Sequence, residues 1–329
     1  MSAGIEPPPR RSRLTRFWPL LLGVATGLCL RLVFRGDAEG PFNVMMASFT
    51  LLVPVAIGVV TVYVAERARR RSWANYFWYA AAANALFVVG TFLILIEGII
   101  CTVIAVPLFS VIGGCAGLVT GAVCRWSGRP RPVVLSVTVL PLVFGAIEQQ
   151  LPLPNQIDTV TSTREINAAP ETVWQTIMHA DSIRPGEIGG AWMYRIGVPL
   201  PLSAITEEVS GERVRRIEMG KGIRFDQLVV DWEPLKRVRW TYRFTTDSFP
   251  PWALDEHIRI GGPYFDLVDT EYALETVDEG TLVTARMSYR VSTHFNWYAR
   301  LVAWFLVSDF EATALDFYAH RSESASVGR

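Results

Sequence analysis

The chain has 329 residues, enough for two domains, and half of them are hydrophobic, with a mean hydropathy of +0.27. Its formal net charge of zero hides an asymmetry: residues 1–154 hold 13 Arg, no Lys and 6 acids (+7), whereas residues 155–329 hold 18 basic and 25 acidic residues (−7). An acidic second half excludes nucleic acid as its partner, because phosphate binding needs a cationic surface, and the arginines of the first half have a simpler use in membrane topology.

The first half is a series of apolar runs at 17–34, 42–65, 76–96, 99–124 and 132–147. A bilayer core of ~30 Å takes about 20 apolar residues as helix, and unpaired backbone groups are not tolerated there. These runs therefore predict a membrane domain of four or five transmembrane helices over 17–147, behind a basic cytoplasmic tail at 1–16. The fifth run carries no charge but has only 16 residues, so it spans marginally or re-enters. Arginines cluster in the amino-terminal tail, in ERARRRS (66–72) and in RWSGRPR (125–131). The positive-inside rule puts these three segments in the cytoplasm. Five spans then place the second half outside the cytoplasm and four place it inside, with an inner-membrane location in either case. Asn84, deep in the third run, is expected to join helices. Gly113, Gly114, Gly117 and Gly121 in the fourth should allow close helix approach. Cys29, Cys101, Cys115 and Cys124 all sit in or beside apolar runs and read as membrane-helix filler.

Residues 148–157 form a short proline-containing linker, whose extended reach of about 35 Å keeps the following domain near the membrane. A strand is expected at 159–166, then a helix opened by Pro170 with Val173, Trp174 and Ile177 on one side. A Gly/Pro-rich stretch follows from Pro185 to Pro201. Strands are expected at 203–210, 213–219, 222–233, 236–244, 264–277 and 281–292, with turns at Gly211-Glu212, Gly220-Lys221 and Glu279-Gly280. Val238, Trp240, Tyr242 and Phe244 alternate with Arg237, Arg239, Thr241 and Arg243. Val283, Ala285, Met287, Tyr289 and Val291 alternate with Thr284, Arg286, Ser288 and Arg290. Each pattern is a half-buried antiparallel strand that needs a covering layer. The only long element available is a terminal helix at 294–320, apolar almost all round between Phe295 and Val307. Its spacing puts Arg300, Glu311 and Tyr318 on one side and Val302, Phe305, Leu306 and Asp309 on the other. Residues 322–329 are expected to be a disordered tail.

The segment TSTREINAAPETVWQTIMHADSI resembles the start of START/polyketide-cyclase-like (SRPBCC) domains, and IRFDQLVVDWEPLKRVRWTYR resembles their central hairpin. The resemblance covers about 158–321. It implies a helix-grip α+β fold, a curved antiparallel sheet around a long carboxy-terminal helix, with a hydrophobic cavity between them. Members of the superfamily bind lipids, sterols, polyketides or hormones, and some cyclise or dehydrate them.

The expected function is membrane-anchored binding, and by extension transfer, of a lipid or other hydrophobic small molecule. The alternatives are a polyketide cyclase/dehydratase-like enzyme and a non-catalytic interaction module with a closed pocket. The expected cavity residues are Trp174, Trp240, Tyr242, Met287, Tyr289, Val302, Phe305, Leu306 and Asp309. Asp309 on the helix, and Asp255 with His257 in WALDEHIRIGG, are the available acid/base groups. The histidines form no HxxxH or HxH pair and the cysteines no CxxC, so neither a metal nor a cofactor is expected. The expected partners are the small molecule and the bilayer.

Overall fold

A computed structural model describes residues 14–34, 42–127, 131–278 and 280–327. The arginines of the tail before Leu14, the loop charges Arg35, Asp37, Glu39 and Arg129, and Glu279 lie outside these residues. The described chain forms two compact units. One contains the residues up to 96 together with 104–151; the other contains 97–103 together with the residues from 152 onward.

The first unit is helical: α1 (Leu14–Val33), α2 (Val53–Ala68, entered through a π-turn at Ser48–Leu52), α3 (Trp73–Leu93), α4 (Ile99–Trp126, whose residues 99–103 belong to the second unit) and α5 (Arg131–Glu148). Among the described residues three helical stretches are long and apolar enough to cross a membrane: Ser48–Ala68, Trp73–Leu93 and Ile99–Trp126. The apolar parts of α1 and α5, Phe17–Val33 and Ser136–Glu148, are shorter. Small residues set the helix spacing. A Cβ on Gly113 would lie 1.8 Å from Asn84 Nδ2, and one on Gly58 would lie 2.4 Å from the Gly113 carbonyl. Asn84 Nδ2 donates to Pro54 O (3.3 Å) in α2 and Ala80 O (3.0 Å) in its own helix. Glu148 accepts the otherwise free N–H groups of Ala47 and Ser48 at the entrance to the π-turn, at 2.5 and 2.7 Å.

The second unit holds β1 (Gln156–Ile166), α6 (Pro170–Met178), β2 (His179–Ala180), two single-turn helices α7 (Pro185–Ile188) and α8 (Trp192–Arg195), β3 (Pro201–Val209), β4 (Glu212–Met219), β5 (Arg224–Glu233), β6 (Arg237–Arg243), β7 (Phe265–Val277), β8 (Gly280–Val291) and α9 (Asn296–Val327). The strands form one eight-stranded antiparallel sheet in the order β1-β8-β7-β6-β5-β4-β3-β2. Register shifts at Val229/Asp231 and Leu267/Asp269 insert bulges that bend the sheet. Ser210 and Gly211, both at positive φ, make the two-residue β3–β4 turn, one position earlier than expected. Helix α9 packs on β1 and β8. A curled antiparallel sheet gripping a long terminal helix is the helix-grip fold.

Helix α9 runs to Val327, through most of the segment expected to be disordered. Its buried residues Ala303, Val307, Glu311, Ala314, Leu315 and Tyr318 recur at helical spacing. Glu311 and Tyr318 therefore share the face turned to the sheet, opposite the face of Val302, Phe305 and Asp309.

Candidate functional site: a polar cluster inside the helix grip

Strand alternation builds the site. On β6, Trp240 and Tyr242 share one side of the sheet. Register sets Arg215 of β4 opposite Gln227 of β5, and Gln227 opposite Tyr242. Three polar side chains thus form one row across three strands. The next row runs from Trp240 to Thr270 of β7, Met287 of β8 and Val160 of β1. Most of the surroundings are apolar: Val173, Trp174, Ile177, Val238, Tyr272, Val283 and Leu315 belong to one buried cluster.

Arg215 is 4% exposed. Its Nη2 donates to Ile177 O (3.0 Å) and to the Tyr318 hydroxyl (2.8 Å), and its guanidinium lies 4.8 Å from the centre of the Trp240 ring. Its Nε has no partner, and neither has Gln227 Oε1 or Trp240 Nε1, though all three atoms are buried. The Tyr242 hydroxyl pairs with Thr270 Oγ1 at 2.6 Å, and Tyr272 meets Tyr318 edge-on at 5.7 Å. Burial pushes the Tyr242 phenol up to about 12 and the Tyr272 phenol well above its usual value. Both phenols are therefore neutral hydrogen-bonding groups at physiological pH. A buried guanidinium presenting an unused N–H beside neutral phenols can orient an anionic or carbonyl oxygen.

Glu311 of α9 faces β1 and β8 and is 2% exposed. It accepts a hydrogen bond from Ser162 Oγ at 2.9 Å, and its Oε1 has no partner. Burial pushes its carboxyl up to about 7, only partly opposed by the bonds to Ser162 and to the Met287 backbone. It is a carboxyl that exchanges its proton near neutrality.

The sequence-derived residues fall in several places. Trp174 is buried edge-on against Trp232 (5.0 Å). Trp240 is fully buried beneath Arg215. Met287 and Tyr289 are buried in a second cluster with Val160, Val291, Ala303 and Val307. Tyr242 packs with Phe225, Phe244 and Phe249. Val302 and Leu306 are half-buried, and Phe305 is 46% exposed beside Trp192. Asp309 accepts the backbone N–H of Trp192 at 2.6 Å, so its carboxylate holds the start of α8. Asp255 and His257 lie in the loop between β6 and β7. There His257 Nε2 is 3.2 Å from Glu97 Oε2.

Sequence reasoning missed Arg215, Gln227 and Glu311. Arg215 had a signal: it shares strand parity with the apolar Ile217 and Met219, which points it inward. Glu311 had one too, lying on the α9 face of Val307, Ala314 and Leu315. No spacing in the sequence could have joined Glu97 to His257, 160 positions apart.

No family model matches the chain, and no curated protein matches it. Among solved structures it is similar to the di-domain aromatase/cyclase StfQ of the steffimycin biosynthetic pathway (13% identity, 60% of each chain, TM-score 0.36). It is also similar to the ZhuI aromatase/cyclase of a Streptomyces species (15% identity, 52% of this chain and 96% of that one, TM-score 0.34). A third is a protein from Thermus thermophilus (19% identity, 51% and 99%, TM-score 0.32). The match spans only 60% of the StfQ di-domain chain.

Proposed function

We propose that this chain is a membrane-anchored protein whose helix-grip unit binds a hydrophobic small molecule, a lipid included, that carries one anionic or carbonyl oxygen. The observation that carries the reading is Arg215: a guanidinium buried among aromatic and aliphatic side chains, with an unused N–H and no carboxylate hydrogen-bonded to it. Burying such a charge costs free energy that the fold alone does not require. A ligand oxygen is the group that would use it, with the apolar walls supplying affinity by burial. Trp297, Leu301, Trp304 and Phe305 along α9 are exposed. Aromatic side chains of this kind favour the lipid–water interface, which supports ligand exchange with a bilayer.

Residues 97–103 belong to the same compact unit as the helix-grip domain. This supports five membrane crossings, with the loop before α4 and the domain on one side; the arginine distribution makes that side extracytoplasmic. Labelling of a cysteine introduced at exposed Trp252 by an impermeant reagent on intact cells tests it, and protection until lysis would refute it.

The test of the binding reading is native mass spectrometry, with solvent extraction, on the full chain purified from membranes. A defined small molecule should be retained, and Arg215→Met should lose it at least tenfold while remaining folded. Equal retention by the variant would overturn the role of Arg215. An empty wild-type chain after exposure to membrane extract would favour a closed interaction module.

A second reading, catalysis on the bound molecule, is favoured by Glu311, whose carboxyl titrates near neutrality. It requires Glu311→Gln to abolish turnover of the retained compound without releasing it.

A further inference from the structure

The second unit contains a cluster of donors that the ligand-binding reading does not use. Glu97, Cys101 and His257 each offer a donor atom, and these atoms all lie within 4.8 Å of one another. Glu97 lies two residues before α4, and Cys101 lies in the first turn of that helix. His257 comes from the single-turn 3₁₀ helix at Glu256–Ile258, in the loop between β6 and β7. It is 9% exposed; its Nε2 faces Glu97 Oε2 at 3.2 Å, and its buried Nδ1 has no partner. Asp255 stands beside them. It lies beside the Cys101 thiol, and a Cβ on Gly98 would come within 2.0 Å of its Oδ1. Gly98 is therefore what lets this carboxylate approach the start of α4.

We infer that Glu97, Cys101 and His257, with Asp255 as the adjoining fourth donor, form a site for a borderline-soft divalent cation of the zinc class. A Glu97–His257 hydrogen bond explains the approach of two groups. It does not explain why a thiol comes within 4.8 Å of both groups, with a second carboxylate beside that thiol. One sulfur, one nitrogen and carboxylate oxygens are a donor set that suits zinc and disfavours calcium and magnesium, which take oxygen alone. A tetrahedral shell with bonds of ~2.0–2.3 Å sets its ligands about 3.5 Å apart, so the donors need to close by roughly 1 Å on binding. Binding takes the thiol to thiolate with release of one proton to solvent, and no electron is transferred. The cation would then clip the loop before α4 to the β6–β7 loop. The inference stands independently of what the helix-grip interior binds.

The test uses the full chain in detergent, without a histidine tag, stripped with chelator, reloaded with zinc and desalted. About one zinc per chain should remain, and Cys101→Ser and His257→Asn should each fall to the blank. Cobalt loading supplies a second readout: a thiolate-to-cobalt absorption band should appear in the wild type and be absent in Cys101→Ser. Either variant could fail to fold, so the triple variant Cys29→Ser, Cys115→Ser, Cys124→Ser, which leaves Cys101 alone, should keep both the zinc and the band. The inference is overturned if the wild type holds no metal above blank. It is equally overturned if folded Cys101→Ser or His257→Asn binds as the wild type does, or if the triple variant loses the band.

Discussion

The two units bury polar groups in opposite surroundings, and the contrast shows what a buried polar atom means in each. The helical unit exposes apolar side chains such as Trp78, Leu93 and Val119, while Thr61, Glu66 and Asn84 are buried. There a buried amide has structural work: Asn84 bonds carbonyls of two helices, at the point where Gly58 and Gly113 let α2 and α4 meet. The helix-grip unit alternates charged outward positions with an apolar interior. Arg215 and Glu311 break that pattern as ionisable groups in an apolar interior; each retains an unpartnered atom, as the neutral Asn84 Oδ1 does in the helical unit. A buried ionisable group opposes folding more than a buried neutral amide does, and this difference is the ground for the role proposed for Arg215.

The contrast is broken most severely at Gly113. Gly113→Leu drives a side chain into Asn84 and the α2–α4 contact, and overpacking of this kind costs about 1–3 kcal/mol, more where the neighbours cannot yield. The purified protein should lose monodispersity in detergent and melt at lower temperature. Gly90→Ala, where a Cβ meets nothing within 4 Å, should behave as wild type. Equal tolerance at both positions would contradict the close packing.

Glu311 gives the next largest effect. Its folded carboxyl sits at about 7 against an ordinary value of 4.5. Between these values the folded state keeps a proton that the unfolded state has lost, so stability falls as pH rises from about 4.5 to about 7, then levels off. The full difference is on the order of 3 kcal/mol. Glu311→Gln should remove most of this fall, measured as denaturation midpoints at pH 5 and pH 8. An unchanged pH profile would remove Glu311 as the neutral-range titrating group.

Arg215 sharpens the comparison through the sign of its effect. Arg215→Met keeps much of the volume and removes a buried charge. Stability should hold within about 1 kcal/mol or rise, as at other buried charges replaced by apolar groups. A loss of several kcal/mol would mean that the bonds to Ile177 and Tyr318 are structural, as the Asn84 bonds are in the helical unit.

Much of the fold was legible because strand alternation and breakers are local signals. The aromatic inner faces of β6 and β8 are read directly from period two, and Pro170 marks the start of α6. The single-turn helices α7 and α8 and the two-residue β2 were not, since elements this short carry no period. The site was less legible than the fold. The run from Phe295 to Val307 is apolar almost all round, with Arg300 its one charge, so it does not say which side of α9 faces the sheet. That side is decided by Ala303, Val307, Ala314 and Leu315, whose small and branched side chains fit against β1 and β8. Glu311 therefore lies inside, and Asp309 instead caps α8. The grouping of Glu97, Cys101 and His257 depends on a long-range approach that no local pattern encodes.

The smallest effect separates charges at the domain surface from those within it. Arg321 of α9 bonds both carboxylate oxygens of Glu187, at 2.8 and 2.9 Å, and also the carbonyls of Asp181 and Ser182. Its hydrogen bond is the main reason the Glu187 carboxyl is lowered to about 2. A depressed carboxyl contributes stability above its unfolded value of 4.5, and the contribution is lost as pH falls towards 2. Both side chains are partly solvated, so the gain is about 1 kcal/mol after screening. Arg321→Met should cost that much at pH 7 and little at pH 2, and added salt should narrow the gap between variant and wild type. This dependence is opposite in direction to that of Glu311, so the double variant should show a flatter stability profile between pH 3 and 8 than the wild type. A salt-insensitive loss of several kcal/mol would place the Arg321 pair with the buried groups instead.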